Sequence, residues 1–225
     1  MPDSAPRFRP WRALAVIAAA GGLVAVMAVL GALQPPVPAG VATDRLGAER
    51  GEPVAEYLAR AHDSLTGADT DERWALVSFT EALTPEQIPA HSGGLRIAQV
   101  IHQVQIPRVH TPMVAVAVPA GDAVAVASAD NAAWQLLAPP VSDERSAHLV
   151  AISVARLRTH CACTVGLVVR GRLPHLRDLS VQNGIRAVQA LPPDAVSGSF
   201  AVVPLLPDQH DVVLSGPDDG PLPER

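Results

Sequence analysis

The residues of this chain best suited to chemistry stand in a row, His160-Cys161-Ala162-Cys163, and include its only 2 cysteines. Thiolate and imidazole together are the donor set of zinc and copper sites. Two thiols one residue apart can also be oxidised to a bridge. On a fully extended strand their Cα atoms would stand about 6.5–7 Å apart, at the edge of disulfide geometry, whereas a tighter turn brings them into range. Three readings stay open. The pair can be small buried apolar side chains at the start of a core strand. It can be a disulfide, internal or to another chain, in an oxidising compartment. Or it can hold a soft metal with His160 and with His102 or His110. The metal reading lacks a second ligand pair at a recognisable spacing. His102 and His110 flank a turn at Ile106-Pro107 in HQVQIPRVH and read as exposed loop-end imidazoles, unless that turn presents them together.

Other reaction classes find little purchase. There is no G-x-S-x-G elbow, and Ser197-Gly198-Ser199 lies in a Pro/Gly loop where turn chemistry explains it. Asp69, Asp71 and Glu72 crowd one loop and read as a solvated turn, with a weak Ca²⁺ contact as the sharper alternative. Gly93-Gly94 is a turn before a strand, and no phosphate-binding loop occurs. No cofactor is expected, no catalytic residue is assigned, and the chain does not read as an enzyme. An envelope hydrolase would need carboxylate or His–Ser pairs that converge only in space.

The elements that position these residues alternate. Pro53 opens a short helix to about Leu65, with Val54, Tyr57, Leu58 and Ala61 on one stripe. Arg73 to Thr80 has a strand pattern. Thr84-Pro85-Glu86-Gln87 is a helix start, with Thr84 as cap, proline at the first helical position and Gln87 answering the cap. Leu95 to Val104 and Met113 to Val118 are strands. Asp122 caps a helix to about Leu137, and Asp143 begins a longer one to Arg158 whose acidic first turn and basic last turn match the macrodipole. Cys163 to Arg170 is a strand, 174–180 a short helix, and 184–191 and 199–205 strands.

Within this order a pattern recurs. Ala75-Leu76-Val77-Ser78-Phe79, then Leu83, then Gly94-Leu95-Arg96-Ile97-Ala98-Gln99 has a second copy: Val165-Gly166-Leu167-Val168-Val169, then Leu173, then Gly184-Ile185-Arg186-Ala187-Val188-Gln189. The repeat suggests a duplicated β-α-β-β unit and an α+β, ferredoxin-like-type domain with helices on one face of a mostly antiparallel sheet. Arg96/Gln99 and Arg186/Gln189 alternate with apolar neighbours, as on a sheet with one solvated face. Trp74, Phe79, Trp134 and Phe200 are the few large side chains and read as core anchors.

Ahead of this domain lie 21 residues, Ala13 to Leu33, without a charged side chain. As a helix rising ~1.5 Å per residue they would reach about 31 Å, the thickness of a bilayer's hydrocarbon core. Arg7, Arg9 and Arg12 precede them, which favours a cytoplasmic N-terminus and an extracytoplasmic remainder. The competing reading is a cleaved secretory signal, with Val37-Pro38-Ala39 as its best site. The expected organisation is therefore a cytoplasmic segment 1–12, a transmembrane helix 13–33, a Pro-led linker 34–50, the domain 51–206 and a disordered tail 207–225.

Charge narrows the partners. All 17 basic residues are arginine, and beyond residue 12 the chain carries 14 of them against 21 Asp plus Glu, a net of −7. Nucleic-acid binding needs an electropositive footprint, so that class is set aside, as is a peripheral clamp on anionic lipid. The order of a basic N-terminus and single span, ALVSFTEALTPEQ (75–87), CACTVGLVVRG (161–171) and FAVVPLLP (200–207) resembles Ala/Pro-rich, single-pass membrane proteins of unknown function from actinobacteria. The resemblance implies a membrane location and brings no activity, cofactor or site residue. The sequence thus points to a membrane-anchored, extracytoplasmic interaction or assembly module of the cell envelope with a protein partner. The alternative is a thiol-redox or metal-handling domain centred on His160, Cys161 and Cys163.

Overall fold

Five segments rich in apolar residues, continuous in the central strands and alternating at the edge strand, build one antiparallel sheet. The computed structural model describes residues 44–141 and 143–224. The five strands are β2 (Glu72–Leu83), β3 (Arg96–Gln103), β4 (Met113–Ala117), β5 (Thr164–Arg172) and β6 (Ile185–Ala190), in the order β4-β3-β5-β2-β6. β2 and β3 are consecutive in sequence, yet β5 lies between them, and β2 in turn lies between β5 and β6. The two strand–turn–strand segments therefore interlock, each lending a strand to the middle of the other. β1 (Arg45–Gly47) and β7 (Ala201–Val203) form a separate parallel pair.

The sheet is covered on its helical face and over most of the other. Ala75, Val77 and Phe79 of β2 with Leu167 and Val169 of β5 point one way and bury Leu173, Leu176 and Leu179 of helix α5 (Leu173–Ser180). On the same side α2 (Asp122–Val126), α3 (Ser128–Leu137) and α4 (Glu144–Arg158) cover the β3–β4 end. The opposite face presents Leu76, Ile101 and Val168 to Leu46 of β1 and to Phe200, Val202 and Leu206. Helix α1 (Val54–Asp63) joins this layer through Val54, Tyr57 and Ala61, packed with Ala187 and Leu205.

Several expectations are corrected by this arrangement. The fold class, an α+β ferredoxin-like-type domain behind a transmembrane helix, gives way to a mixed α/β domain. Among the described residues no helix is long and apolar enough to cross a membrane. The segment 13–33 lies outside the described residues. The sheet face expected to be solvated is covered over β2, β5 and β6 by β1, β7, α1 and the chain around residues 200–206, and stays open at β4, where Ala115 and Ala117 are exposed. The second unit does not complete a β-α-β-β, since after Leu191 the prolines at 192 and 193 cannot donate to a ladder and β7 pairs with β1 instead.

Local chemistry explains the rest. The Thr84 capping box forms, with Gln87 Oε1 accepting the Thr84 N–H at 2.9 Å, yet only 3-10 turns follow, Pro85–Gln87 and Pro89–His91. Pro89 has no N–H to give to Pro85, so an α-helix cannot propagate. The helix expected from Asp122 to Leu137 is broken at Ala127, and its cap position belongs to Gly121 at φ +93°. Trp134, read as a core anchor, is 66% exposed and lies under the Arg158 guanidinium.

Residues 207–224, expected as a disordered tail, are laid along the domain. Val213 is buried, exchanges backbone hydrogen bonds with Gly51 (2.8 Å) and Glu52 (2.9 Å), and Gly220 N–H donates to Arg108 O at 2.7 Å. The expected linker 34–50 likewise holds a strand near its end, β1, whose Leu46 is fully buried.

Candidate functional site

The His160–Cys163 cluster sits where α4 hands over to β5. Asp143 caps the start of α4, accepting the Ser146 N–H at 2.8 Å. At the other end His160 N–H bonds Leu157 O at 3.0 Å and Cys161 N–H bonds Arg156 O at 3.1 Å, the paired closure of a Schellman motif. That motif needs a left-handed residue, usually glycine. Here His160 takes it at φ +55°. Its ring is held from outside, with Nδ1 2.6 Å from Glu86 Oε1 and Nε2 3.8 Å from Asp130 Oδ2. The hydrogen bond to Glu86 raises the His160 pKa above its ordinary value. The turn also draws the two cysteines together: Cys161 and Cys163 are bridged, with Cα atoms 5.3 Å apart.

The other two histidines serve different contacts. His102 is buried on the helical side of β3, with Nε2 2.8 Å from Ser128 Oγ and Nδ1 3.2 Å from Thr164 Oγ1. Ser128 spends its one hydrogen on Ala125 O at 2.5 Å, so His102 Nε2–H is the donor and Nδ1 accepts from Thr164. This is a neutral imidazole with both nitrogens matched, and burial pushes its pKa down to about 4. His110 is exposed beside the C-terminal chain. Its Nε2 faces Gly216 O and its backbone N–H donates to Asp218 Oδ1 at 2.9 Å. His160, His102 and His110 are thus engaged separately, and among the described residues no three His, Cys, Asp or Glu side chains are placed to hold a metal ion. The Asp69–Glu72 turn resolves into ion pairs, Asp69 with Arg73 at 2.6 Å and Glu72 with Arg170 at 3.1 Å.

Sequence reasoning missed a cleft of about 930 Å³ under the C-terminal chain. One wall is the end of β3 and the following loop, with Gln103, Ile106 and Met113. The other is a strap of residues 203–217 that includes Val203, Leu206 and Val213, and Arg45 and Arg50 come from β1 and its turn. The strap is anchored along its length. A Cβ on Gly166 would lie 3.0 Å from Pro204 Cβ and 3.1 Å from Val77 O, so the sheet admits the strap only because that position is glycine. Leu205 N–H donates to Ser78 Oγ at 3.2 Å, Arg186 donates to Leu206 O at 2.5 Å and also reaches Gln209 O. Farther on, Arg108 pairs with Asp219 and Arg145 lies 3.6 Å from Asp218. Backbone donation from His110 holds the Asp218 carboxyl below its usual range.

A cavity of this size is in the range of ligand sites. Its lining mixes aliphatic side chains with three arginines and three glutamines, a surface suited to binding. The sequence signals that could have found it are the two arginines of RLGAER (45–50) and the isolated Val212-Val213-Leu214 in an otherwise polar terminus. No protein-family model matches the chain, and neither curated proteins nor solved structures give a match.

Proposed function

We propose that this chain is an extracytoplasmic interaction module of the cell envelope, held at the membrane, which grips a protein partner through the cleft under its C-terminal strap. The cleft carries the reading: a partly apolar opening, walled by a strap anchored along its length, on a domain whose sheet is covered over most of both faces. Location is supported by the uncharged run 13–33 behind three arginines, and by a disulfide, which persists in oxidising compartments. A photo-crosslinking residue at Met113, on the cleft wall, tests the reading in intact cells against the same residue at exposed Val181. The expected result is one discrete adduct from Met113 and none from Val181, in cells whose external protease digests the domain. Equal, diffuse labelling from both positions, or a domain that protease cannot reach, would overturn it.

A second reading is favoured by the bridge itself. Cys163 is buried but Cys161 is half-buried beside exposed Ala162, so a dithiol reductant could open the bridge to two thiols while itself being oxidised to a disulfide. Thiol counting with graded dithiothreitol, plus metal analysis before and after, tests it. A bridge resistant to reduction until the domain unfolds removes this reading.

A further inference from the structure

We infer that the segment entering the cleft is an extended peptide rich in acidic and aliphatic residues, its carboxylates meeting Arg45 and Arg50 and its aliphatic side chains meeting Val203 and Leu206. This rests on the cleft being the contact point with a partner. The chain beyond residue 12 is acidic overall, with a net of −7, yet the cleft lining holds three arginines against one carboxylate, Asp208. Asp208 is directed electrostatically toward Arg186, and Arg108 is already paired with Asp219. Arg45 and Arg50 are different. Arg45 donates to Ala48 O at 3.1 Å and Arg50 to Ser215 Oγ at 2.5 Å, and neither has a carboxylate partner among the described residues. Each guanidinium offers five N–H donors in a planar fork, so most of that capacity faces the cleft and solvent. An anionic group is the natural complement.

One further observation favours a peptide over a simple amphiphile. Met113 opens β4, the edge strand of the sheet, so unpaired backbone donors and acceptors begin at the cleft. Strand addition to such an edge is a common mode of peptide capture.

The test uses the full chain in non-ionic detergent and fluorescein-labelled acetyl-Val-Glu-Val-Glu-Val amide, read by anisotropy. Counterparts carry Gln or Lys in place of Glu, and octanoate serves as competitor. The expected order is Glu tightest, Gln about tenfold weaker and Lys unbound, with affinity falling as salt rises. Arg45→Gln and Arg50→Gln are each expected to weaken the Glu peptide by about three- to tenfold. Arg172→Gln, exposed at the end of β5 away from the cleft, leaves it unchanged, and thermal melts confirm that all variants fold. Equal affinity for the three peptides, or arginine variants that bind like the parent, overturns the inference. Octanoate bound with no peptide bound assigns the cleft to a small amphiphile and overturns it too. A discrete Met113 adduct that is indifferent to these peptides and variants sinks the acidic-segment claim alone, whereas the absence of any adduct in the parent chain sinks the reading beneath it.

Discussion

His102 makes the stability of the domain depend on pH between about 6.5 and about 4. Its imidazole is neutral in the fold, with Nε2–H donating to Ser128 and Nδ1 accepting from Thr164, and burial lowers its pKa from 6.5 to about 4. Between those two values the unfolded chain holds the proton and the folded chain does not, so stability falls as pH drops from about 6.5 to about 4 and is intact above 6.5. The full loss is about 3 kcal/mol, at about 1.4 kcal/mol per pH unit along the steepest part. His160 has the opposite sign. Its pKa is raised, so its contribution is present at low pH and fades as pH rises through the folded value. Its ring is exposed, and the comparison below cancels it. Urea unfolding of the full chain in a mild detergent, from pH 7.5 to 4.5, is run for the parent and for His102→Gln, which keeps an amide for Ser128 or Thr164. At pH 7.5 the variant is expected to be the less stable by about 1–2 kcal/mol, from imperfect hydrogen bonding in a buried site. By pH 4.5 the gap should close or reverse. Parallel curves for the two proteins across the whole range would refute the neutral, doubly matched imidazole.

Two further perturbations probe the frame of the cleft. Gly166→Ala drives a methyl into Pro204 and the Val77 carbonyl, and should cost about 1–3 kcal/mol by urea unfolding and accelerate proteolysis within the strap, whereas Gly216→Ala, with nothing within 4 Å, should do neither. Replacing Cys161 and Cys163 together by serine opens only a very short loop, so the chain-entropy loss is about 1–2 kcal/mol, visible as a lower melting temperature without loss of the strap's protease protection.

How far the sequence could be read depended on the range of the interactions involved. Helix α4 was legible because its determinants are local: Asp143 at the cap, acid at one end and arginine at the other. The apolar stripe its sequence suggests, Ala147, Val150, Ala151, Val154 and Leu157, is covered only in part: Val154 and Leu157 are buried together with Ile152 and Ser153, while Ala147 and Ala151 are exposed. Packing on α3 decides that rotation. The 84–91 segment shows a local rule defeated by another local rule, a well-formed capping box stopped by Pro89. Trp134 was misread because bulk suggests a core, whereas an arginine on the next helix gives its ring face a partner at the surface. The strap was least legible. Proline, aspartate and glycine make residues 207–224 look unstructured, and what orders them is distant: Arg186, Arg108 and the backbone of 51–54. The same distance hid the cleft, whose arginines fall in a stretch that composition alone reads as a spacer.

Competition at the Met113 crosslink bears most directly on the proposed role. Membranes from cells carrying the photoreactive residue at Met113 are irradiated with increasing acetyl-Val-Glu-Val-Glu-Val amide or its Lys counterpart, in the parent and in an Arg45→Glu, Arg50→Glu background. A single protein adduct that fades with the acidic peptide, persists with the basic one and is already lost in the doubly substituted chain is the expected outcome. An adduct that survives saturating acidic peptide and both charge reversals would contradict capture through the arginine-rimmed cleft.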